Sequence, residues 1–336
     1  MYDIVVLGAG VVGLSTAVRI QDVLPDRKVT LIADKFTKDT TSDGAAGIFR
    51  PSVEKTPVKC LQQYRTWCQD SFKWYHTLNV EDDPSETGVI RLSGYHFANK
   101  GSNPPRFHYG ITELTEKELA DLPGNFSFGW KYTSLMIECR RYLPWLTKRF
   151  VSRGGRIEKR KVNEILEFAG KCSLLVNCTG FGSSTLLNDK KVFPVRGHLI
   201  RVAAPWVKHF YVWDDASSYI YPGQDNVVLG GTRQKDQYET SGGWEWFDDV
   251  KSRCVNLLPG LKNSEVINKW VGLRPHRAFI RLEVEDLSCN GKQLKVVHNY
   301  GHGANGVALS WGTAIEATEI VKTILSQESS RFKSKL

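Results

Sequence analysis

Residues 4–17, IVVLGAGVVGLSTA, decide how this chain is read. Ile4 to Leu7 are consecutive apolar residues, the pattern of a buried strand. Gly8, Gly10 and Gly13 follow in the spacing G-x-G-x-x-G, and Leu14 to Ile20 continue as an amphipathic helix. Each glycine has a mechanical task in that setting. Gly8 permits a tight turn, Gly10 lets a pyrophosphate approach the backbone, and Gly13 lets helix and strand pack closely. Around them the backbone of Ala9, Val11 and Val12 offers N–H groups at the positive end of a helix, where phosphates bind. A second apolar strand, VTLIA, leads to Asp34, placing a carboxylate where it can grip a ribose hydroxyl. Strand, glycine turn, helix and acid together predict a Rossmann-like dinucleotide site.

With 336 residues the chain can form two domains. No apolar run approaches the roughly 18–20 residues that span a bilayer, so no membrane association is expected. The first residues enter a strand directly, which leaves no room for a signal peptide. A formal charge of +9 suggests nucleic acid, but the basic residues are dispersed and their densest run is EKRK at 158–161, so none is expected as a partner. The charge suits acidic small molecules better. Seven cysteines, odd in number and without a C-x-x-C pair, argue against a disulfide framework and a zinc site, and no metal is expected. The last residues, Ser334-Lys335-Leu336, form the peroxisomal address S-K-L, which implies an import receptor as partner and the peroxisome matrix as location. Composition leaves homo-oligomer formation open.

The stretch after Asp34, KFTKDTTSDGAAGIFRPS, favours FAD over a nicotinamide cofactor. A nicotinamide enzyme usually continues there with a helix. Here Lys35, Thr40, Thr41 and Ser42 supply polar groups for phosphate or flavin edges, and Ala46, Gly47 and Ile48 let backbone approach a flat ring. Three later segments return to the nucleotide. RIEKRKVNEI (156–165) reads as a strand whose Val162 backbone edges an adenine, and LLVNCTGFGSS (174–184) as a strand breaking into a turn at Thr179 and Gly180. In HNYGHGANGVALSWGTA (298–314) a glycine-rich loop with Gly301, Gly303, Ala304 and Gly306 feeds a helix starting near Val307 and Ala308. The positive end of that helix suits the negative charge of a reduced flavin ring.

GAGVVGLSTA, YLPWL, VNCTG, FPVRG, APWVKHF, YIYPG, LGGTR, VGLRP and HNYGHG…WGTA occur in order, and together they resemble the D-amino-acid oxidase family of peroxisomal FAD flavoproteins over essentially the whole chain. LGGTRQK resembles the branch acting on acidic D-amino acids. The resemblance implies an α/β fold: a Rossmann-like FAD-binding domain assembled from discontinuous segments, plus an α+β substrate domain with a mostly antiparallel sheet. Segments 1–50, 135–190 and 275–333 fall to the FAD domain, and 51–134 and 191–274 to the substrate domain. The implied reaction moves hydride from the α-carbon of D-aspartate, D-glutamate or N-methyl-D-aspartate to flavin N5. Water then releases 2-oxo acid and ammonia, and O2 is reduced to hydrogen peroxide. No side-chain acid or base is implied, which fits the absence of a Ser-His-Asp or metal constellation.

By the same resemblance Arg274 in VGLRP binds the substrate α-carboxylate, with Glu283 as a structural alternative partner. Tyr219 in SSYIYPG meets the same carboxylate, although Tyr221 shares its face. Arg233 is read as an arginine at the end of a buried strand. It receives the distal carboxylate, unless Asp236 or Glu239 holds it structurally. The family's pattern is broken at three places: Val212 or Trp213 stands where mammalian relatives carry an arginine, Ser52 stands for a histidine, and Ala304 for a serine. Arg50, in AAGIFRP, is expected to replace the lost cation at the substrate. An oxidase of neutral or basic D-amino acids is the alternative that Val212 and Ser52 favour, and a flavin-binding protein without turnover is a third reading.

Overall fold

The glycine turn sits where its mechanics require. In the computed structural model, which describes residues 2–53, 59–122, 126–214 and 217–333, the first strand is β1 (Tyr2–Ala9) and the helix Val11–Val23 follows after Gly10. A Cβ on Gly13 would lie 1.8 Å from the Gly8 carbonyl oxygen, so helix and strand touch backbone to backbone. Gly13→Ala is expected to force that contact apart at a cost of ~1–3 kcal/mol. The measurable result is a lower melting temperature and a smaller flavin absorbance per protein after reconstitution.

The other strands are β2 (Val29–Phe36), β3 (Val89–Phe97), β4 (Gly110–Glu113), β5 (Gly129–Ile137), β6 (Arg156–Lys159), β7 (Cys172–Asn177), β8 (Val192–Ala203), β9 (Phe210–Trp213), β10 (Ser218–Pro222), β11 (Val227–Gly230), β12 (Gln234–Lys235), β13 (Glu265–Cys289) and β14 (Lys292–His302). All join one sheet in the order β4-β5-β3-β9-β10-β11-β8-β13-β14-β7-β1-β2-β6, with β12 attached to β8. From β14 to β6 the pairings are parallel, the arrangement of a nucleotide-binding α/β unit. From β9 to β14 they are antiparallel. The fold is therefore mixed α/β with a large, mostly antiparallel sheet.

β13 joins the two halves: Glu265 to Arg277 pair with β8, and the strand then continues along β14 to Cys289. The expected boundary at 274/275 thus falls inside one strand. The helix Leu61–Glu81, expected with the substrate half, packs on the helix Gly306–Lys333. It places Tyr75 and Leu78 in the same buried cluster as Ile4, Leu14 and Leu146.

Three local readings change. The strand expected over 156–165 stops at Lys159, because β2 pairs with it no further than Ala33; Val162 follows in irregular chain. The expected glycine loop from 298 is mostly strand, since β14 runs through His302 and only Gly303–Asn305 form a turn before the helix. Arg233 is not at the end of a core strand: β11 ends at Gly230, and Arg233 lies beyond it, open to a cavity. The S-K-L tripeptide lies outside the described residues. Among the described residues no helix is long and apolar enough to cross a membrane.

Candidate active site

A cavity of about 1390 Å³ runs along the C-terminal ends of the parallel strands and continues over the antiparallel sheet. Gly8, Ala9, Gly10, Val11 and Val12 line it at one end, with Asp34, Lys35, Thr40, Thr41 and Ser42. Val162, Thr179, Gly180, Ala46, Gly47 and Ile48 line it further along, as do Gly301, Gly303, Ala304, Gly306, Val307 and Ala308. Of the predicted cofactor residues only Gly13 is not in the lining; it packs beneath, against Gly8 and Cys178. Ser42 Oγ accepts a hydrogen bond from the Val11 N–H at 3.0 Å, so the loop after β2 reaches back over the start of the first helix. These residues fit a dinucleotide: close backbone at the glycine turn, helix N–H groups above it, and Asp34 exposed in the last part of the second strand, two residues before its end.

The loop 46–50 reaches the cavity by simple alternation. Phe49 points into the core, its N–H donating to Leu135 O at 2.7 Å, so Ile48 and Arg50 face the other way. The same rule operates on β10, where Ile220 is buried and Tyr219 and Tyr221 present stacked rings 4.5 Å apart.

Arg274 lies on β13, on the same face as Trp270 and Gly272. Gly272 stands directly opposite Gly197 on β8, and this pair of missing side chains forms a floor. A Cβ on Gly197 would be 2.3 Å from Arg274 Nη2, and one on Gly272 would be 1.9 Å from the Trp270 ring. Arg274 Nη1 donates to Thr232 O at 3.0 Å. It has no acidic partner among the described residues, since Glu283 is taken by Arg281 at 2.7 Å. Burial lowers the pKa of the Arg274 guanidinium, with the Tyr219 phenol beside it working the other way. Tyr219, not Tyr221, is thus the tyrosine next to Arg274.

Arg233 makes no ion pair or hydrogen bond among the described residues; Asp236 pairs with Lys235, and Glu239 accepts from Ser241. Burial and then the nearby Arg274 push its pKa down. Arginine nonetheless stays charged at any ordinary pH. Two guanidinium groups therefore face one cavity, and among the described residues neither has an ion-paired carboxylate.

Arg50 differs. Its Nη1 donates to Asp214 Oδ1 at 2.9 Å and lies 3.1 Å from His96 Nε2, and Asp214 Oδ2 lies 2.6 Å from the same His96 nitrogen. The expected spare cation has a counter-ion inside the protein. Burial opposes the Arg50 charge, but Tyr221 and Asp214 more than offset it and its pKa rises. Asp214, which burial alone would push up, is held well below the usual carboxylate range by His96 and Arg50. Ser52 also lines the cavity, with its backbone clamped by Asn305, whose Nδ2 donates to Ser52 O at 2.6 Å.

Sequence reading missed Trp270, Thr232, His96 and Asp214. Trp270 had a signal, the period-two run Trp270, Gly272, Arg274; the others had none.

Buried histidines around the site carry a pH dependence. Burial, with Arg233 and then Arg274 adding to it, pushes His276 down to about 4, and burial pushes His302 down to about 3. An unfolded histidine titrates near ~6.5, so below that pH the unfolded chain binds more protons and stability falls as pH drops toward 4. Each imidazole costs roughly 2 kcal/mol by pH 5. Calorimetry of the holoenzyme should show a melting temperature several degrees lower at pH 5 than at pH 7.

Taken together, fold and cavity define a dinucleotide-cofactor protein with two arginines, Arg233 and Arg274, facing its second compartment. The chain belongs to the FAD dependent oxidoreductase family, which matches residues 3–320. It is 42% identical to human D-aspartate oxidase over 95% of this chain and 94% of that protein. It is 33% identical to D-aspartate oxidase 1 of Caenorhabditis elegans over 96% and 98% of the two chains. Among solved structures it resembles glycine oxidase from Bacillus cereus, with a TM-score of 0.75, 19% identity, and coverage of 96% of this chain and 95% of that one.

Proposed function

We propose that this chain catalyses the FAD-dependent oxidation of acidic D-amino acids, D-aspartate foremost, to 2-oxo acid, ammonia and hydrogen peroxide. The observation that carries the reading is the pair Arg274 and Arg233, neither with an acidic partner among the described residues. Unpaired cations in a walled cavity are costly until a matching anion arrives, and a dicarboxylate brings two negative charges. Full-length similarity to D-aspartate oxidases supports the same substrate class.

Held by the glycine turn 8–13, Asp34 and the loop 40–48, FAD would supply the hydride acceptor and the route of electrons to O2. The protein supplies position and charge. Arg274 and the Tyr219 hydroxyl hold the α-carboxylate, and Arg233 takes the distal one. Two nearby guanidinium groups disfavour a third positive charge, so the substrate amine binds without its extra proton and no side-chain base is required. Trp270 and the stacked tyrosines wall the compartment and limit water. The cofactor half comprises segments 1–50, 135–190 and 275–333 together with the helix Leu61–Glu81, the substrate half comprises the rest of 51–134 and 191–274, and β13 is shared between them. The C-terminal Ser334-Lys335-Leu336 directs the enzyme to the peroxisome through its import receptor, which places peroxide release in a compartment that handles it.

Anaerobic mixing tests the reading. D-aspartate should bleach the flavin absorbance faster than D-alanine. Faster bleaching by D-alanine would assign the chain to oxidases of neutral substrates, and a colourless protein after reconstitution would remove the cofactor.

A further inference from the structure

We infer that Asp214 is a specificity-determining residue: by holding Arg50 in an ion pair it keeps a third cation from competing for the distal carboxylate of the substrate. The inference rests on the acidic-substrate reading above. The stacked Tyr219 and Tyr221 divide the substrate compartment electrostatically. Arg274 and Arg233 act on Tyr219, whereas Arg50 acts on Tyr221 and Tyr132. All three arginines line the same cavity. With Arg50 neutralised by Asp214, the compartment presents the two positive charges of Arg274 and Arg233, which match the charge of a dicarboxylate.

Asp214 is well placed for this. One carboxylate oxygen takes Arg50 at 2.9 Å and the other contacts His96 at 2.6 Å, so the pair is braced from β3 as well as from the end of β9. The Asp214 side chain is 44% exposed and that of Arg50 17%, so the acid is the more accessible member of the pair. Without the acid, Arg50 loses its counter-ion and keeps the His96 Nε2 contact at 3.1 Å, a guanidinium charge acting on Tyr221 with no anion to balance it. A distal carboxylate drawn to it leaves Arg233, and the α-carbon turns out of line. D-glutamate, one methylene longer, can reach Arg50 while its α-carboxylate stays on Arg274.

The test compares parent, Asp214→Asn, Asp214→Glu and Asp214→Asn/Arg50→Gln holoenzymes, each checked for its flavin spectrum, on D-aspartate, D-glutamate and D-alanine. In Asp214→Asn, kcat and KM for D-aspartate should fall together, the mark of non-productive binding, leaving kcat/KM nearly unchanged. For D-glutamate, kcat/KM should rise about tenfold, the gain of one charge-assisted hydrogen bond. D-alanine, with no distal carboxylate, should change little. Asp214→Glu should restore the parent preference, and the double variant should lose the gain on D-glutamate. A D-glutamate to D-aspartate ratio within about twofold of the parent would overturn the inference, since twofold is well under 1 kcal/mol. So would an equal loss of kcat/KM on all three substrates, or a gain that survives in the double variant. If the parent itself prefers D-alanine, the acidic-substrate reading falls, and the inference with it.

Discussion

Replacing Arg274 with leucine should lower kcat/KM for D-aspartate and D-alanine by the same large factor. Both substrates carry an α-carboxylate, and the variant leaves that charge in a walled cavity with the Tyr219 hydroxyl as its remaining anchor. Removing one member of such a pair costs about 3–5 kcal/mol, or roughly 150- to 5,000-fold in rate. Geometry adds to electrostatics here. Arg274 lies over the Gly197–Gly272 floor and is steadied by Thr232 O, so its fork has one seat. A lysine in its place keeps a charge but loses the planar two-pronged bond, and should recover only part of the loss. Single-turnover flavin reduction measures all of this without interference from product release. A loss confined to D-aspartate would place Arg274 at the distal carboxylate instead.

Arg233→Leu should show the opposite pattern. D-aspartate should lose about 2–3 kcal/mol of transition-state stabilisation, ~30- to 150-fold, while D-alanine stays within a few-fold of the parent. Arg233 has no partner among the described residues, so its removal breaks no internal salt bridge. Removing it also relieves repulsion of Arg274, and the variant should be at least as stable as the parent to heat. Equal losses on both substrates would make Arg233 a structural residue. A double variant at 233 and 274 should lose less than the sum of the two, because both act on one bound dianion.

The two variants separate what different parts of the chain contribute. Arg274 sits on the long strand β13, which pairs antiparallel with β8 and then with β14, and its position is set by cross-strand register. Arg233 sits past a strand end, on a short connection back to β8. The first is held by the sheet; the second is free to meet whatever anion the compartment receives.

How much of this could be read from the chain itself differs residue by residue. Gly8, Gly10, Gly13 and Asp34 were legible because their chemistry is local: a tight turn, a close approach and a strand-end acid are all fixed by neighbours in sequence. The segments named for the cofactor end line the cavity for that reason, even where the element was wrong, as with Val162 beyond a strand that stopped early. Arg274, Tyr219 and Arg233 were named through resemblance, since nothing local distinguishes a substrate arginine from one in a salt bridge, and the structure brings all three to one cavity.

The chain by itself determined the cofactor class and the turn that holds it, because backbone strain and helix polarity are written in short stretches. Only the tertiary structure decided which of the three arginines has an acidic partner among the described residues. His96 and Asp214 lie 118 positions apart and Arg50 and Asp214 lie 164 apart. They meet because β3 and β9 pair in a register that sets His96 beside Val212, two residues before Asp214. An arginine is a receptor or a strut according to whether an acid stands within about 4 Å of it, where charges attract strongly, and that distance belongs to the packed sheet.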